Sequence, residues 1–484
     1  MIALADAVRR TDPKAVALID GHRGGSLTYG ALVDRVDRTA AGLRARGIRP
    51  GRRVAVAAPL GADGIVAYLG VQAAGAAAVM LYPRSPRPEL EARLAAVEPD
   101  LLIVGDGVVI PSGVAAFRPA GSSATSDWPT LDGSGTSDGI DPDTVATILF
   151  TSGVAGPPRA VGLTHRNLGA VQNAMIEQPA SGLGRGTMAL AVLPISHVFG
   201  LNSLVGTMLR AGATVVMLDR FDPQESLEIL ARHGITTISA VPQMWSAWSS
   251  ADGPDDAMRT VTRATSSADH LPAAVAKQVR ERFGVRIAAG YGLTETAGTI
   301  CLDDPLNPVL NTVGRPLGDT EVRLVDDEGD EAEPGDPAEI WVRGPSVFGG
   351  YVGAFADVAA VTSDGWYRTG DVGVLGDDDR LMIVDRLKDV IIVGGFNVTP
   401  SEVEDVLLRH PMVSAALVVG EADDRSGERV VAYVVPRPGA AVDAAVLISH
   451  CADHVARYKV PARIVLRDDL PTTPTGKPVR RLLS

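Results

Sequence analysis

A glycine-rich loop after an apolar strand is the first place where residue types and spacing predict chemistry. The run VATILF is followed by TSGVAGPPRAVGLTH, in which Thr151 and Ser152 carry hydroxyls, Gly153 and Gly156 permit a tight backbone and Arg159 supplies charge. Backbone N–H groups in such a loop can surround phosphate oxygens. The same residues also describe a Gly/Pro-rich hairpin, so the loop alone is a weak indication of a phosphate site.

The segments that must position this loop alternate between short β-branched runs and longer amphipathic stretches. RVAVAAP, ATVVMLDR and TTISAVP are typical of strands, whereas ELEARLAAV, SLEILARHG and AVAKQVRERFG are typical of helices. This alternation predicts α/β layers with mostly parallel sheets. From about Thr320, the run EVRLVDDEGDEAEPGDPAEIWVRG predicts a small antiparallel β-unit.

A break near Asp385–Asp389 predicts a domain boundary, because a compact α+β pattern follows it. The predicted fold class is α/β. Residues 1–387 form a large N-terminal domain of layered α/β subdomains plus the β-unit, and residues 388–484 form a small, mobile α+β C-terminal domain. The Gly/Ser/Thr/Asp-rich stretch between Pro111 and Asp143 is expected to be a surface excursion that joins two lobes.

Composition and charge exclude several classes of protein. The chain has 484 residues and a formal net charge of −13, which argues against a nucleic-acid partner because such proteins carry a basic face. The apolar run Gly64–Leu81 is interrupted by Gln72 and Gly75, which favours a buried helix, a turn and a strand over a membrane span. The N-terminal residues lack the order of a signal peptide. We therefore expect a cytoplasmic protein with no membrane partner and with Cys301 and Cys451 reduced.

Five further motifs follow the loop in order. They are PISHVFG (Pro194–Gly200), GYGLTET (Gly290–Thr296), WYRTGDVG (Trp366–Gly373), DRLKDVIIVGGFNVTPSEVE (Asp385–Glu404) and LPTTPTGKPVRRLL (Leu470–Leu483). Together they resemble the adenylate-forming (ANL) superfamily of acyl- and aryl-CoA synthetases, luciferases and peptide-synthetase adenylation domains. The resemblance extends from about Leu27 to the C-terminus. HVFG and YKVPARIVLRDDLPTTPTGK are most similar to the acyl-CoA synthetase/ligase branch.

The resemblance implies a two-step reaction that uses ATP, Mg²⁺ and coenzyme A. A carboxylate attacks the α-phosphorus of ATP to give acyl-AMP and pyrophosphate, and the CoA thiol then displaces AMP. The first step requires cations because carboxylate and triphosphate repel each other. Glu295 matches the magnesium carboxylate and Thr294 the α-phosphate hydroxyl. Glu295 is also suited to open a helix after Gly292, where it would favour the helix dipole.

The AMP contacts are implied by the same resemblance. Tyr291 matches the residue that packs on adenine, Asp371 the acid that accepts both ribose hydroxyls, and Arg386 a second ribose contact. The segment ATSSADHLP, which contains Asp269 and His270, stands where the family has SGGAPLP. Its bulkier side chains imply that adenine is held differently.

Four residues match the moving parts of the family. Lys477 matches the lysine that bridges the α-phosphate and the substrate carboxylate, although a lysine near a C-terminus is usually solvated. Lys388 occupies the position of the interdomain hinge. Gly394 and Gly395 match the loop along the pantetheine tunnel, where side chains would block a thin thiol arm.

The acyl pocket is expected among apolar residues near the second motif. His197 resembles the residue between the acyl pocket and the AMP site, and a core histidine is its alternative interpretation. Phe199, Met244, Trp245 and Gly290 are the candidate pocket residues, although a Met/Trp stripe on a helix is also typical of core. They favour a hydrophobic acid.

The phosphate loop departs from the family pattern TSGTTG-x-PKG. Val154 and Ala155 stand where the family has two threonines, Arg159 replaces lysine and Ala160 replaces the last glycine. A hydrogen bond to a charged group contributes about 1.5–3 kcal/mol, so losing two donors costs on the order of two to four decades in rate. The loop therefore motivates a second hypothesis, a ligase that only thioesterifies a preformed acyl-AMP. Lys477 argues for full activity, because only adenylation requires it.

Two further alternatives remain open. The acyl group can be loaded onto a carrier protein, since CoA and the carrier present the same thiol, or the scaffold can bind an acyl nucleotide without catalysis. The sequence leaves the oligomeric state open, with a homodimer as one option.

Overall fold

The computed structural model describes the whole chain apart from a set of short segments and one longer one. These are residues 1–2, 106–115, 118–139, 152–158, 180, 327, 334, 357–358, 377, 387–388, 394–395, 424–425, 441, 474–478 and 484. Most of the predicted surface excursion between Pro111 and Asp143 therefore lies outside the described residues.

The first part of the chain forms a mostly parallel six-stranded sheet. Its elements, with the two strands that join the next sheet, are α1 (Leu4–Arg9), β1 (Val16–Asp20), β2 (Ser26–Thr28), α2 (Tyr29–Ala45), β3 (Arg53–Ala57), α3 (Ala62–Ala73), β4 (Ala77–Met80), α4 (Arg87–Val97), β5 (Leu101–Val104), β6 (Ala116–Phe117), β7 (Val145–Phe150) and β8 (Ala160–Thr164). The strand order is β6-β5-β3-β4-β7-β8, and only the last pair is antiparallel.

The apolar run Gly64–Leu81 forms a buried helix, a turn and a strand, as predicted. α3 ends at Ala73, and every residue of β4 is buried between neighbouring strands. Within the part of the chain that the structure describes, no helix has the length and apolarity needed to cross a membrane.

The second layer is a nine-stranded sheet. Its elements, besides a π-helical stretch at Phe199–Gly206, are α5 (His165–Glu177), β9 (Met188–Ala191), α6 (Thr207–Arg210), β10 (Thr214–Met217), α7 (Pro223–His233), β11 (Thr237–Ala240), α8 (Pro242–Ser250), β12 (Arg263–Ser266), α9 (Ala273–Phe283), β13 (Ala288–Leu293), β14 (Gly298–Leu302) and β15 (Arg315–Pro316). The order is β15-β14-β13-β12-β11-β9-β10-β1-β2, and its central strands are parallel.

The predicted antiparallel β-unit is a four-stranded sheet. Its strands, β16 (Glu321–Val325), β17 (Ala338–Arg343), β18 (Tyr367–Leu375) and β19 (Leu381–Arg386), pair in sequence order. This sheet ends directly before the predicted domain boundary, and its third strand carries the TGD motif.

The C-terminal module is a five-stranded sheet with two helices. Its elements are β20 (Ile391–Val393), β21 (Phe396–Val398), α10 (Pro400–Leu408), β22 (Val413–Asp423), β23 (Gly427–Pro436), α11 (Ala444–Ala452) and β24 (Arg463–Leu466). Apolar residues of both helices and of the sheet form their own core cluster. The α/β fold class and the large and small domains are thus confirmed, while the boundary at residues 387 and 388 stays a prediction.

The two cysteines are free and buried, as expected. Burial raises the pKa of Cys301 to about 12 and that of Cys451 to about 11. Because the thiolate is the reactive form, both thiols are chemically quiet.

Candidate active site

A tight hairpin between β13 and β14 carries the GLTE motif. Thr296 closes the turn, because its hydroxyl accepts a hydrogen bond from the Leu293 N–H at 2.9 Å. A side chain at Gly292 would place its Cβ 2.0 Å from the Gly298 carbonyl oxygen, so only glycine fits there. Glu295 therefore lies in a turn, and the expectation that it opens a helix is wrong because β13 runs directly into the antiparallel β14.

Glu295 is a buried carboxylate, with 8% of its surface exposed. Its Oε1 accepts a hydrogen bond from the Tyr351 hydroxyl at 3.1 Å, and its backbone carbonyl accepts one from the Phe348 N–H at 2.9 Å. The Arg159 guanidinium lies 5.2 Å from the centroid of the Tyr351 ring. Tyr351 thus contacts both the cation that follows the phosphate loop and the predicted magnesium carboxylate.

Thr151 and Arg159, at the two ends of the predicted phosphate loop, pair at the end of the β7–β8 hairpin. The Thr151 N–H donates to the Arg159 carbonyl at 3.0 Å, and the Thr151 hydroxyl oxygen accepts from the Arg159 N–H at 3.0 Å. Ala160 is fully buried at the start of β8. Residues 152–158 lie outside the described residues, so the predictions for Ser152, Gly153, Val154, Ala155 and Gly156 have no structural counterpart here.

The predicted adenine and ribose residues contact each other. The Tyr291 hydroxyl donates to Asp371 Oδ2 at 2.7 Å, across 80 residues of sequence. Asp371 is buried, and its N–H donates to the Thr369 hydroxyl oxygen at 3.1 Å. Arg386 is the cross-strand partner of Asp371 in the β18–β19 ladder. The motifs GYG and TGD therefore meet at one end of the β-unit.

Three phenols beside these carboxylates remain protonated. Burial and, secondarily, the charge of Asp371 hold the pKa of Tyr291 well above its usual value. Burial, followed by the charge of Glu295, also raises the pKa values of Tyr351 and Tyr367. Neutral phenols donate hydrogen bonds, so the site stabilises the two carboxylates as acceptors.

The residues present fit a magnesium ion held largely by substrate phosphates. No group of three or more His, Cys, Asp or Glu side chains in the described part of the chain could hold a metal alone. Mg²⁺ is usually bound by one or two carboxylates together with phosphate oxygens and water. Glu295, buried next to the phosphate-loop hairpin, is the side chain that would supply the carboxylate.

His197 lies in the turn before the π-helical stretch. Its Nδ1 accepts a hydrogen bond from the Phe199 N–H at 3.3 Å, which favours the tautomer with the proton on Nε2. A cavity of about 210 Å³ next to this turn is lined by Ile195, Ser196 and Met244 among others. The motif thus borders a cavity of the size of a small acid.

The other candidate pocket residues lie deeper. Trp245 has no exposed surface and packs edge-on against Trp248, with ring centroids 5.1 Å apart. Phe199 is buried in the same core cluster. At Gly290 a Cβ would lie 2.8 Å from the Ser267 hydroxyl oxygen, so glycine allows β13 to approach the segment after β12. Trp245 is a core residue behind Met244, and its direct contact with an acyl group stays a prediction.

The segment ATSSADHLP has an unusual backbone. Ala268 has a φ of +77°, a conformation that favours glycine. Asp269 is half-buried, and its carboxylate accepts a hydrogen bond from the His270 N–H at 2.9 Å. The His270 ring points to the C-terminal module, where it contacts Asp405.

Four predicted residues lie outside the described residues: Lys388, Gly394, Gly395 and Lys477. Arg480, three residues after Lys477, is described. It donates to Glu404 of α10 at 2.8 Å and to the Val418 carbonyl at 3.1 Å. The C-terminal segment is therefore attached to α10 and β22.

Tyr351 and Tyr367 are the site residues that the sequence analysis missed. Tyr351 belongs to none of the motifs, and Tyr367 stands in WYRTGDVG without a role implied by the resemblance. Only the tertiary structure brings them to Glu295. A tyrosine after the Gly349–Gly350 pair, between two motifs, was the available signal.

The fold and the site together define an adenylate-forming enzyme. The family model described as "AMP-binding enzyme" matches residues 4–352, and the model "AMP-binding enzyme C-terminal domain" matches residues 402–477. The chain belongs to the AMP-binding enzyme family. The expected superfamily and the expected class of acid–thiol ligase are confirmed, as is ATP/AMP binding.

Curated relatives cover nearly the whole chain. A feruloyl-CoA synthase of Amycolatopsis sp is 35% identical over 97% of this chain and 95% of the relative. A sulfoacetate–CoA ligase of Cupriavidus necator is 34% identical over 99% of this chain and 96% of the relative. The related proteins thus act on acids of different chemistry.

Solved structures share the complete fold. ATP-bound MatB from Rhodopseudomonas palustris is 26% identical, with a TM-score of 0.88 over 100% of this chain and 98% of that chain. Apo MatB has a TM-score of 0.78 over 99% and 98%. The amide bond synthetase McbA from Marinactinospora thermotolerans is 31% identical, with a TM-score of 0.86 over 99% and 98%.

Proposed function

We propose that this chain joins a small hydrophobic carboxylic acid to coenzyme A in two steps, through an acyl-AMP. One observation carries the proposal. Arg159, Tyr351 and Glu295 form a continuous contact beside the phosphate-loop hairpin. On the β13–β14 hairpin that carries Glu295, Tyr291 contacts Asp371 of β18. Adenylation requires a cation, a carboxylate for the metal, an aromatic ring and an acceptor for the ribose hydroxyls.

Adenylation is the step that these side chains serve. Asp371 accepts the ribose hydroxyls with its carboxylate, and Arg159 stabilises negative charge on the phosphates. Glu295 would hold Mg²⁺, which would supply neutralisation of the phosphate charge. Thr294 donates its hydroxyl to the α-phosphate, and Lys477 stabilises the charge that develops there as the acid's carboxylate attacks.

Thioester formation uses fewer of these side chains than adenylation does. The CoA thiol attacks the acyl carbonyl, and AMP leaves with the bonding electrons and keeps its contacts to Asp371. Gly394 and Gly395 would leave room for the pantetheine arm, and Lys388 would be the hinge that exchanges the two domain arrangements.

The cavity beside His197, of about 210 Å³, is where the acid would bind. Apolar residues, among them Ile195, Phe221 and Met244, form about half of its lining and would hold a hydrophobic group. The charged residues Arg84, Asp219 and Arg220 are among the rest. The identity with a feruloyl-CoA synthase supports an aromatic acid in particular. His197 would stand between this cavity and the AMP site, where its ring can gate the carboxylate.

The experiment separates the two half-reactions. The purified chain is incubated with ATP, Mg²⁺, CoA and a panel of acids (ferulic, benzoic, fatty and sulfoacetic), and pyrophosphate and acyl-CoA are measured. In parallel, synthetic acyl-AMP is supplied with CoA and without ATP. We expect acyl-CoA from both assays, with an aromatic acid preferred. Acyl-CoA from acyl-AMP alone would replace the proposal with the non-adenylating ligase, and no product from either would indicate a non-catalytic binder.

The acceptor is tested in the same way. The 31% identity with an amide bond synthetase favours an amine as a second candidate acceptor, and a carrier protein's phosphopantetheine thiol is the third. CoA, a phosphopantetheinylated carrier and a primary amine are offered to the same acyl-AMP. A faster reaction with the amine than with CoA would contradict the proposed thioester product.

A further inference from the structure

A histidine and an aspartate connect the N-terminal domain to the C-terminal module. His270, three residues before α9, has its Nε2 3.2 Å from Oδ1 and 3.1 Å from Oδ2 of Asp405 on α10. The side chain of His270 is 37% exposed and that of Asp405 is 22% exposed. Both carboxylate oxygens thus share one ring nitrogen, at a junction where His270 is exposed and Asp405 is half-buried.

The surroundings of this pair are loosely packed. A cleft of about 640 Å³ lies between α9 and the end of α10, lined by Lys277, Arg280, Leu408 and Arg409 among others. Elsewhere at the junction, the Ser401 hydroxyl donates to the Val384 carbonyl at 3.2 Å. Because the cleft separates α9 from the end of α10, directional polar contacts beside it contribute to the orientation of the small domain.

His270 departs from the family pattern. His270 falls at the first proline of the family pattern SGGAPLP, and proline has no side-chain donor or acceptor. Over both domains together, the chain matches ATP-bound MatB with a TM-score of 0.88 and apo MatB with a TM-score of 0.78. The whole fold is therefore more similar to the ATP-bound structure.

We propose that His270 and Asp405 are a positioning pair that holds the C-terminal domain in the arrangement used for adenylation and that separates before thioester formation. The assignment of the two arrangements to the two steps rests on the proposed function. In this proposal the pair acts through the domain arrangement and not through the reacting atoms. Its contribution is to the population of one domain arrangement, and a shift in that population changes the two half-reactions in opposite directions.

The first test measures the domain arrangement without activity. Fluorophores are attached to Asp252→Cys and Asp453→Cys, two exposed positions in different domains, and the buried Cys301 and Cys451 stay unlabelled. Single-molecule energy transfer then gives the fraction of molecules in the docked arrangement. We expect His270→Gln and Asp405→Asn each to lower this fraction about three- to tenfold, and the double variant to lower it no further.

Rescue and control variants separate positioning from folding. His270→Arg keeps a cation beside Asp405 and should restore the docked fraction, whereas His454→Gln, at an exposed histidine of the same small domain, should leave it unchanged. An unchanged docked fraction in both His270→Gln and Asp405→Asn would overturn the proposal. Effects of the two single variants that simply add in the double variant would also overturn it.

The second test assigns the arrangement to a step. In His270→Gln, ATP–pyrophosphate exchange should fall about three- to tenfold, while acyl-CoA formation from synthetic acyl-AMP stays equal or rises. Equal losses in both half-reactions would contradict a positioning role. A wild-type chain inactive in both assays would reject the proposed function instead, and the energy-transfer result would still decide whether the pair holds the domains.

Discussion

At the scale of single residues, Tyr351 is the side chain that links the two charged groups of the candidate site. Its hydroxyl donates to Glu295 while its ring lies under the Arg159 guanidinium. The raised pKa of this phenol, caused first by burial and then by Glu295, keeps the donor proton in place. A cation on the ring face and an acceptor at the hydroxyl orient both charged groups towards the phosphate-loop hairpin.

We expect Tyr351→Phe to weaken adenylation. The substitution keeps the ring under Arg159 but leaves the buried Glu295 carboxylate without the phenol donor. A hydrogen bond to a charged group contributes about 1.5–3 kcal/mol, so kcat/KM for ATP-dependent pyrophosphate release should fall about tenfold or more. The Mg²⁺ concentration for half-maximal rate should rise. Acyl-CoA formation from synthetic acyl-AMP should change little.

The matched control is Tyr29→Phe, which removes another buried phenol bond. The Tyr29 hydroxyl donates to the Ala213 carbonyl at 2.7 Å, in the core of the N-terminal domain. This variant should lose stability in a thermal melt and keep its Mg²⁺ dependence. A Tyr351→Phe variant with wild-type Mg²⁺ dependence would show that the phenol does not orient Glu295.

Residues to which a motif assigns a role could be named from the sequence, and residues that only meet them in space could not. Tyr291 and Asp371 stand in motifs whose text is distinctive, and they are in contact. Tyr351 reaches Glu295 because it pairs with Val161 of β8 in an isolated bridge. That pairing joins segments far apart in sequence, and no local periodicity indicates it.

At the scale of secondary-structure elements, the phosphate-loop hairpin decides between two hypotheses, full adenylation and a ligase that only uses preformed acyl-AMP. Thr151 and Arg159 form two hydrogen bonds with each other where the strands end, as in a regular hairpin. We expect Val154→Thr with Ala155→Thr to raise the rate of pyrophosphate release about tenfold or more, because hydroxyl donors to charged phosphates are restored. The rate of thioester formation from acyl-AMP should stay constant.

The control for the loop variant is Val154→Ser alone, which supplies one donor and should give part of the gain. Pre-steady-state measurement of acyl-AMP formation checks both variants. No gain in either variant would show that Arg159 and backbone N–H groups already saturate the phosphate site, and the hypothesis of a weakened adenylation step would then be wrong.

The C-terminal segment is positioned by Arg480. Its guanidinium bonds Glu404 and the Val418 carbonyl, and both partners belong to the small domain's core elements. We expect Arg480→Ala to destabilise this domain by about 2 kcal/mol, since a half-buried carboxylate loses a charged donor. Adenylation should fall more than thioester formation, because Lys477 lies three residues away. Arg480→Lys, which keeps the charge, should recover part of the stability in a denaturant titration.

Element types followed from periodicity, but sheet order and turns did not. The Gly75 break correctly separated α3 from β4. The helix expected at Glu295 was wrong because Gly292 and Gly298 approach each other and favour an antiparallel hairpin. The nine-strand order depends on pairings such as β1 with β10, nearly 200 residues apart, which local sequence cannot specify.

At the scale of the whole molecule, the His270–Asp405 pair is proposed to control how the two domains are arranged. Burial lowers the pKa of His270, but the hydrogen bond and charge of Asp405, with the charges of Asp269 and Glu404, raise it more, and the net pKa is raised. The pair therefore stabilises the docked arrangement fully at a pH below the ordinary histidine value of about 6.5. That stabilisation is lost as the pH rises through the raised pKa.

The ratio of the two half-reactions should accordingly depend on pH. As the pH rises through the range above about 6.5, adenylation should fall relative to thioester formation, and the docked fraction in energy transfer should fall in parallel. In His270→Arg the cation persists, so this part of the pH profile should flatten, whereas His454→Gln should retain it. If the ratio of the two half-reactions had the same pH dependence in wild type and in His270→Arg, protonation of this histidine would not govern the domain arrangement.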